Sequence, residues 1–135
     1  MATNYTLKLD AGADKIWRLR FRDADGNYEN LTNHSARMML KLKYDSETAL
    51  LEYTSAEGEG ITFELYDEDS PYIDTLCVHF TNLDTDALVD YTLLDSDGDV
   101  ELGTGVYDLE DIDEDGLVAR AIQGYWIAFP AVTRE

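Results

Sequence analysis

The residue types able to do chemistry here are two histidines, one cysteine and a large excess of carboxylates. His34 sits in a polar stretch, Thr32-Asn33-His34-Ser35, and His79 in an apolar one. Neither is accompanied by a nucleophile elbow, a glycine-rich phosphate loop or zinc-ligand spacing, so the pattern points to no catalytic machinery and no cofactor. Asp111, Asp113 and Asp115 followed by Gly116 match the opening of an Asp-x-Asp-x-Asp-Gly calcium loop, whose oxygens suit a hard cation. The match stops there, because the position that needs a bidentate glutamate is Ile122. An acidic Asp-Gly hairpin turn is the favoured reading, with a non-EF-hand calcium site as the weaker one. Asp95, Asp97 and Asp99 repeat the theme, with Val100 in place of the glycine. Trp17 and Trp126 are candidate sugar platforms, yet Trp17 alternates with Leu19 and Phe21 and reads as core. Trp126 is assigned to the core or to a subunit interface.

Charge is the stronger signal. The chain of 135 residues has 10 basic and 29 acidic residues and a net charge of −19, which repels nucleic acid. The distribution is uneven: residues 1–43 carry eight Lys or Arg against five Asp or Glu, and the remainder carries two against 24. An acidic solvated surface or adaptation to high salt accounts for the acids. The cations are more specific. Arg18, Arg20 and Arg22 alternate with Trp17, Leu19 and Phe21, while Arg37, Lys41 and Lys43 flank Met38, Leu40 and Leu42. If these two strands share a sheet, one outer face collects most of the positive charge and could dock on an acidic neighbour.

The elements that must position these groups are strands. Period-two alternation recurs at Tyr5–Leu9, Trp17–Phe21, Met38–Leu42 and Ile61–Leu65, with Asp-Gly and Gly-Asn turns between. Ala49–Tyr53, Ile73–Phe80, Tyr91–Leu94, Val100–Leu102, Gly105–Glu110 and Leu117–Phe129 complete the strand candidates. Leu83, Ala87 and Leu88, after a cap at Thr81 or Asn82, predict one helical turn. Gly124 predicts a bulge or bend in the last strand, and Pro130 ends its pairing. About eight or nine short strands in one domain, 1–135, indicate an all-β antiparallel sandwich. No apolar run approaches the ~20 residues of a membrane span. No secretory signal pattern opens the chain. Cys77, in Leu76-Cys77-Val78, reads as a buried thiol with no intrachain partner.

Gly105-Val106-Tyr107-Asp108-Leu109-Glu110, an acidic Asp-Gly turn, and the segment Gln123 to Arg134 with Pro130-Ala131-Val132-Thr133-Arg134 resemble small tailed-phage virion proteins. Arg20 to Thr32, with its Asp-Gly turn and Leu31-Thr32 step, is similar to the N-terminal domains of phage baseplate upper proteins. Residues 44–104 match only as generic strands. The resemblance implies an immunoglobulin-like sandwich serving as a non-enzymatic structural component of a tail, baseplate, head fibre or capsid decoration. It implies other virion proteins as partners, a homo-oligomer, synthesis in the host cytoplasm and residence in the virion. The contact residues expected are Arg18, Arg20, Arg22, Arg37, Lys41 and Lys43, together with the terminal Phe129, Val132 and Arg134. The alternatives are a carbohydrate- or calcium-binding sandwich module and an acidic regulator that imitates a polyanion.

Overall fold

A computed structural model describes residues 3–88, 92–94 and 100–129, with backbone only for 92–94 and 100–103. The strands are β1 (Thr3–Asn4), β2 (Leu7–Asp10), β3 (Lys15–Leu19), β4 (Ser35–Lys41), β5 (Leu51–Thr54), β6 (Ile61–Glu64), β7 (Thr75–Phe80), β8 (Thr92–Leu94), β9 (Val100–Ile112) and β10 (Val118–Phe129). A short helix, α1 (Asn82–Ala87), lies between β7 and β8. Its N-cap is Thr81, whose hydroxyl accepts from the Asp84 N–H.

Two sheets form. The smaller has the order β3-β7-β6, and the larger runs β1-β10-β9-β4-β5, with β2 also on β10 and β8 on β9. Read by strand order, β3, β7 and β6 stand where B, E and D stand in an immunoglobulin sandwich, and β10, β9, β4 and β5 where G, F, C and C′ stand. Pairing is antiparallel except that β1 and β2 run parallel to β10. The first strands therefore belong to the larger sheet, and β3 is left as an edge of the smaller one. Of the early alternation at Tyr5–Leu9 only Leu7 to Leu9 is strand, in β2, with Tyr5 between β1 and β2, and the two segments expected at 100–102 and 105–110 are one long strand, β9. The turn expected at 95–99 lies outside the described residues.

Alternation explains the faces. In β4, Ala36, Met38 and Leu40 are buried while Arg37, Met39 and Lys41 face outward. The core joins both sheets through Leu7, Leu9, Leu40, Leu76, Phe80, Leu109 and Trp126. Trp17 on β3 meets Tyr107 on β9 edge-to-face, with ring centroids 6.0 Å apart. These are the strands that a disulfide joins in antibody domains, so an aromatic pair bridges the sheets here instead.

The bulge in β10 falls at Ala121, where the register on β9 shifts between Arg120 and Ile122, and not at the expected Gly124. Gly124 has another cause: a Cβ there would strike the carbonyl of Tyr5, which crosses it between β1 and β2. Gly105 is required in the same way. It leaves room for the Trp126 indole, whose Nε1–H donates to the Lys41 carbonyl at 2.9 Å.

Candidate protein-contact surface

Outward residues of β3 and the segment after it begin a strip of ordered side-chain contacts. Arg20 extends the alternation of β3, and its guanidinium lies 3.4 Å from the centroid of the Tyr28 ring and 4.0 Å from that of Tyr66. Arg22 adds a contact with Tyr28 at 4.4 Å, and Arg18 one with Tyr66 at 5.4 Å. The contacts thus run Arg18, Tyr66, Arg20, Tyr28, Arg22, alternating cation and ring.

Local structure places both tyrosines. Asp23 Oδ1 accepts the N–H groups of Asp25 and Asn27, closing the Asp-Gly turn that brings Tyr28 back beside Arg22. Arg22 completes this turn by donating to the Gly26 carbonyl and the Tyr28 hydroxyl, each at 2.8 Å. Tyr66 is positioned by its own N–H, which donates to Asp74 Oδ1 at 3.0 Å. The Tyr72 hydroxyl donates to the Tyr28 carbonyl and secures the other side.

Asp74 anchors the strip. It is 2 % exposed and accepts from Arg20 Nη2 at 2.9 Å, from the Thr75 hydroxyl and from the Tyr66 N–H. Burial pushes its carboxyl up, but these donors and the Arg20 charge outweigh it and hold Asp74 below the ordinary carboxylate range. Arg20 Nε is buried without a hydrogen-bond partner, so the guanidinium is held by Nη2 and the two rings. Beside the strip an open groove of about 520 Å³ is lined by Arg20, Tyr28, Tyr66, Tyr72 and the acidic Asp67 and Asp69, among others.

The six cations expected on one face are divided. β3 belongs to the smaller sheet and β4 to the larger, so Arg18, Arg20 and Arg22 are grouped while Arg37 and Lys41 stand on the other sheet and Lys43 follows it. The premise of one shared sheet does not hold, because β3 pairs with β7 and β4 pairs with β5 and β9. On the larger sheet Arg37 Nε donates to Glu110 at 2.7 Å, which raises the Arg37 pKa, and Arg120 lies 3.4 Å from Asp108. A cleft of about 340 Å³ opens there between Met39, Lys41, Tyr44, Val106 and Asp108. Phe129 is half-buried at the end of β10, where its carbonyl accepts from the Ala11 N–H. Val132 and Arg134 lie outside the described residues.

The aspartates of the β9–β10 turn are not gathered around a common point. Asp113 Oδ1 accepts the N–H groups of Asp115 and Leu117, which makes it the organiser of the turn. Asp111 instead meets His34, with Nδ1 2.9 Å from Oδ2. A carboxylate only accepts, so Nδ1 carries the proton. Among the described residues no group of three or more His, Cys, Asp or Glu is arranged to hold a metal ion. Backbone donors occupy Asp113 and His34 meets Asp111, so the structure does not bring Asp111, Asp113 and Asp115 together as the ligand set that the weaker calcium reading needs. His79 Nε2 lies 3.1 Å from the Thr62 hydroxyl, far along the sequence from His34 and on the smaller sheet.

Both tryptophans are core: Trp17 is 9 % exposed and Trp126 fully buried. Cys77 is buried too, but on the outer side of β7, in register with Arg18 on β3 and Thr62 on β6. Burial, and then the Glu64 carboxylate, push its thiol up, while Arg18 pulls the other way. Sequence reading missed Tyr28, Tyr66, Tyr72 and Asp74. Tyr28 follows the Asp-Gly turn by a fixed offset and was the detectable one; the other three reach the strip only through the pairing of β6, β7 and β3.

No family model matches the chain, and no curated protein matches it. Solved structures do. One is a chain from a study of multimeric cell-adhesive interactions of VGSC beta subunits, 12 % identical, with a TM-score of 0.45, covering 93 % of this chain and 92 % of that one.

Proposed function

We propose that this domain is a non-enzymatic contact module, and more specifically a structural component of a bacteriophage particle. The observation that supports the contact role best is the strip of Arg18, Tyr66, Arg20, Tyr28 and Arg22. Arginine and tyrosine are the residue types that concentrate binding energy at protein interfaces. Here their side chains are already stacked and hydrogen-bonded, so less rotamer freedom is lost when a partner docks. The cations favour an acidic partner and orient its approach, while the rings supply apolar contact.

The virion assignment rests on the resemblance at both ends of the chain, through Arg20 to Thr32 and through Gly105 to Glu110 with Gln123 to Arg134. It places the domain in a tail, baseplate, head fibre or capsid decoration, in contact with other virion proteins and with copies of itself. Mass spectrometry of density-purified particles tests this reading. The protein is expected in stoichiometric amount, and a monomer absent from particles would overturn it.

A further inference from the structure

We propose that the outer edge of β3 is a strand-addition site that takes an acidic, extended segment of a partner protein. The proposal rests on the contact reading above and adds to it a place and a mode of binding.

The topology leaves this edge open. β3 pairs with β7 on one side, and no strand among the described residues pairs with the other, because β1 and β2 have joined β10 in the opposite sheet. A strand edge carries a row of backbone donors and acceptors that an extended chain can complete. No proline or bulge interrupts Lys15–Leu19, and within it Ile16 is 60 % exposed.

Charge chooses the occupant. Arg18 lies on the outward face of β3, and Arg20 and Arg22 continue its row, with Glu64 3.9 Å from Arg18 and Asp74 bonded to Arg20. Of the other edge strands, β6 carries Glu64 and β5 carries Glu52 with no cation, and on β2 the exposed Lys8 stands beside Asp10. A second copy pairing β3 with β3 would bring two Arg18 side chains, and the Arg20 side chains beyond them, onto one face, which is unfavourable. A partner strand with carboxylates on its outward face meets those cations instead. The same residues therefore repel self-pairing and select an acidic strand.

The test uses the full chain, isotope-labelled for NMR, and as probe a synthetic peptide of roughly ten residues alternating glutamate and valine. At low salt the peptide is expected to shift the amides of residues 15–19 and to slow their hydrogen exchange. Methylating the backbone nitrogens of alternate peptide residues is expected to weaken binding at least ~10-fold, since it removes the ladder without altering charge. A lysine–valine peptide is expected not to bind. Equal binding of the methylated peptide overturns strand addition while leaving a charge-driven contact module intact. Shifts confined to residues other than 15–19, or no binding at millimolar peptide, also overturn it. A β3 edge already protected in the peptide-free protein, with a doubled mass in light scattering, would show a second copy as the occupant and overturn the acidic partner. None of these outcomes bears on the presence of the protein in particles, which tests the contact reading separately.

Discussion

Replacing Arg20 by methionine tests the strip at its centre. The substitution keeps an unbranched side chain but removes a charged hydrogen bond of 2.9 Å to Asp74 and the contacts with Tyr28 and Tyr66. A hydrogen bond to a charged group contributes about 1.5–3 kcal/mol, and each cation–ring contact about 0.5–1 kcal/mol. Arg20 keeps 23 % of its side-chain surface in solvent, which screens part of this, while Asp74 keeps only 2 %. Asp74 also retains the Thr75 hydroxyl and the Tyr66 N–H. The expected loss is about 3 kcal/mol, at the lower end of the range for breaking a buried pair. With a urea m-value near 1.5–2 kcal/mol per M, the midpoint falls by roughly 1.5–2 M. The double variant Arg20→Met with Asp74→Asn is expected to be less destabilised than the sum of the single changes, by about 1.5 kcal/mol. A single-variant loss below about 1 kcal/mol, or strict additivity, would refute the reasoning. The pH dependence has a fixed sign. The folded-state pKa of Asp74 is lowered from 3.8, so its contribution is full above that value and is lost as pH falls through the lower folded-state value. In Asp74→Asn this acid-side loss is expected to shrink, as followed by stability curves measured down to pH 2–3.

Three further outcomes follow from the packing. Gly124→Ala would press a methyl group against the Tyr5 carbonyl, so β1 and β2 should detach from β10, read as faster amide exchange at residues 3–10 and a lower melting temperature. Tyr107→Phe removes the hydroxyl that donates to the Tyr5 carbonyl at 2.6 Å and should cost about 1 kcal/mol in urea unfolding. Cys77, 1 % exposed and with its thiol pKa raised, should react with a thiol reagent only as fast as the domain opens, whereas prompt labelling of the native protein would contradict its burial.

Much of the sandwich was legible because alternation is a local property. Ala36, Met38 and Leu40 are buried as their period of two demands, and the same holds for Leu7 and Leu9. The helical turn was legible from its Thr81 cap, although of Leu83, Ala87 and Leu88, assigned to its apolar side, only Leu88 is buried. Sheet membership was not legible. β3 and β4 carry the same alternation of apolar and basic residues, and only their pairing with β7 or with β9 separates Arg18 and Arg20 from Arg37 and Lys41. Gly124 was recognisable as a special position, but the cause is a backbone from the far end of the chain. The strip was half visible: its arginines stand at alternate positions, whereas Tyr66, after β6, and Asp74, before β7, arrive through contacts that no spacing records.

The central claim is that Arg18, Arg20 and Arg22, held by Tyr28 and Tyr66, meet an acidic partner within a particle. Its most direct measurement is cross-linking mass spectrometry on density-purified particles, with a photoreactive residue in place of Leu65, which is 46 % exposed next to Tyr66. The account predicts a cross-link from this position to an acidic segment of another virion protein, lost when Arg22 is changed to glutamate. Particles that contain the protein but give cross-links only when the photoreactive residue stands instead at Tyr44, after β4, or at Tyr125 on β10 would contradict it.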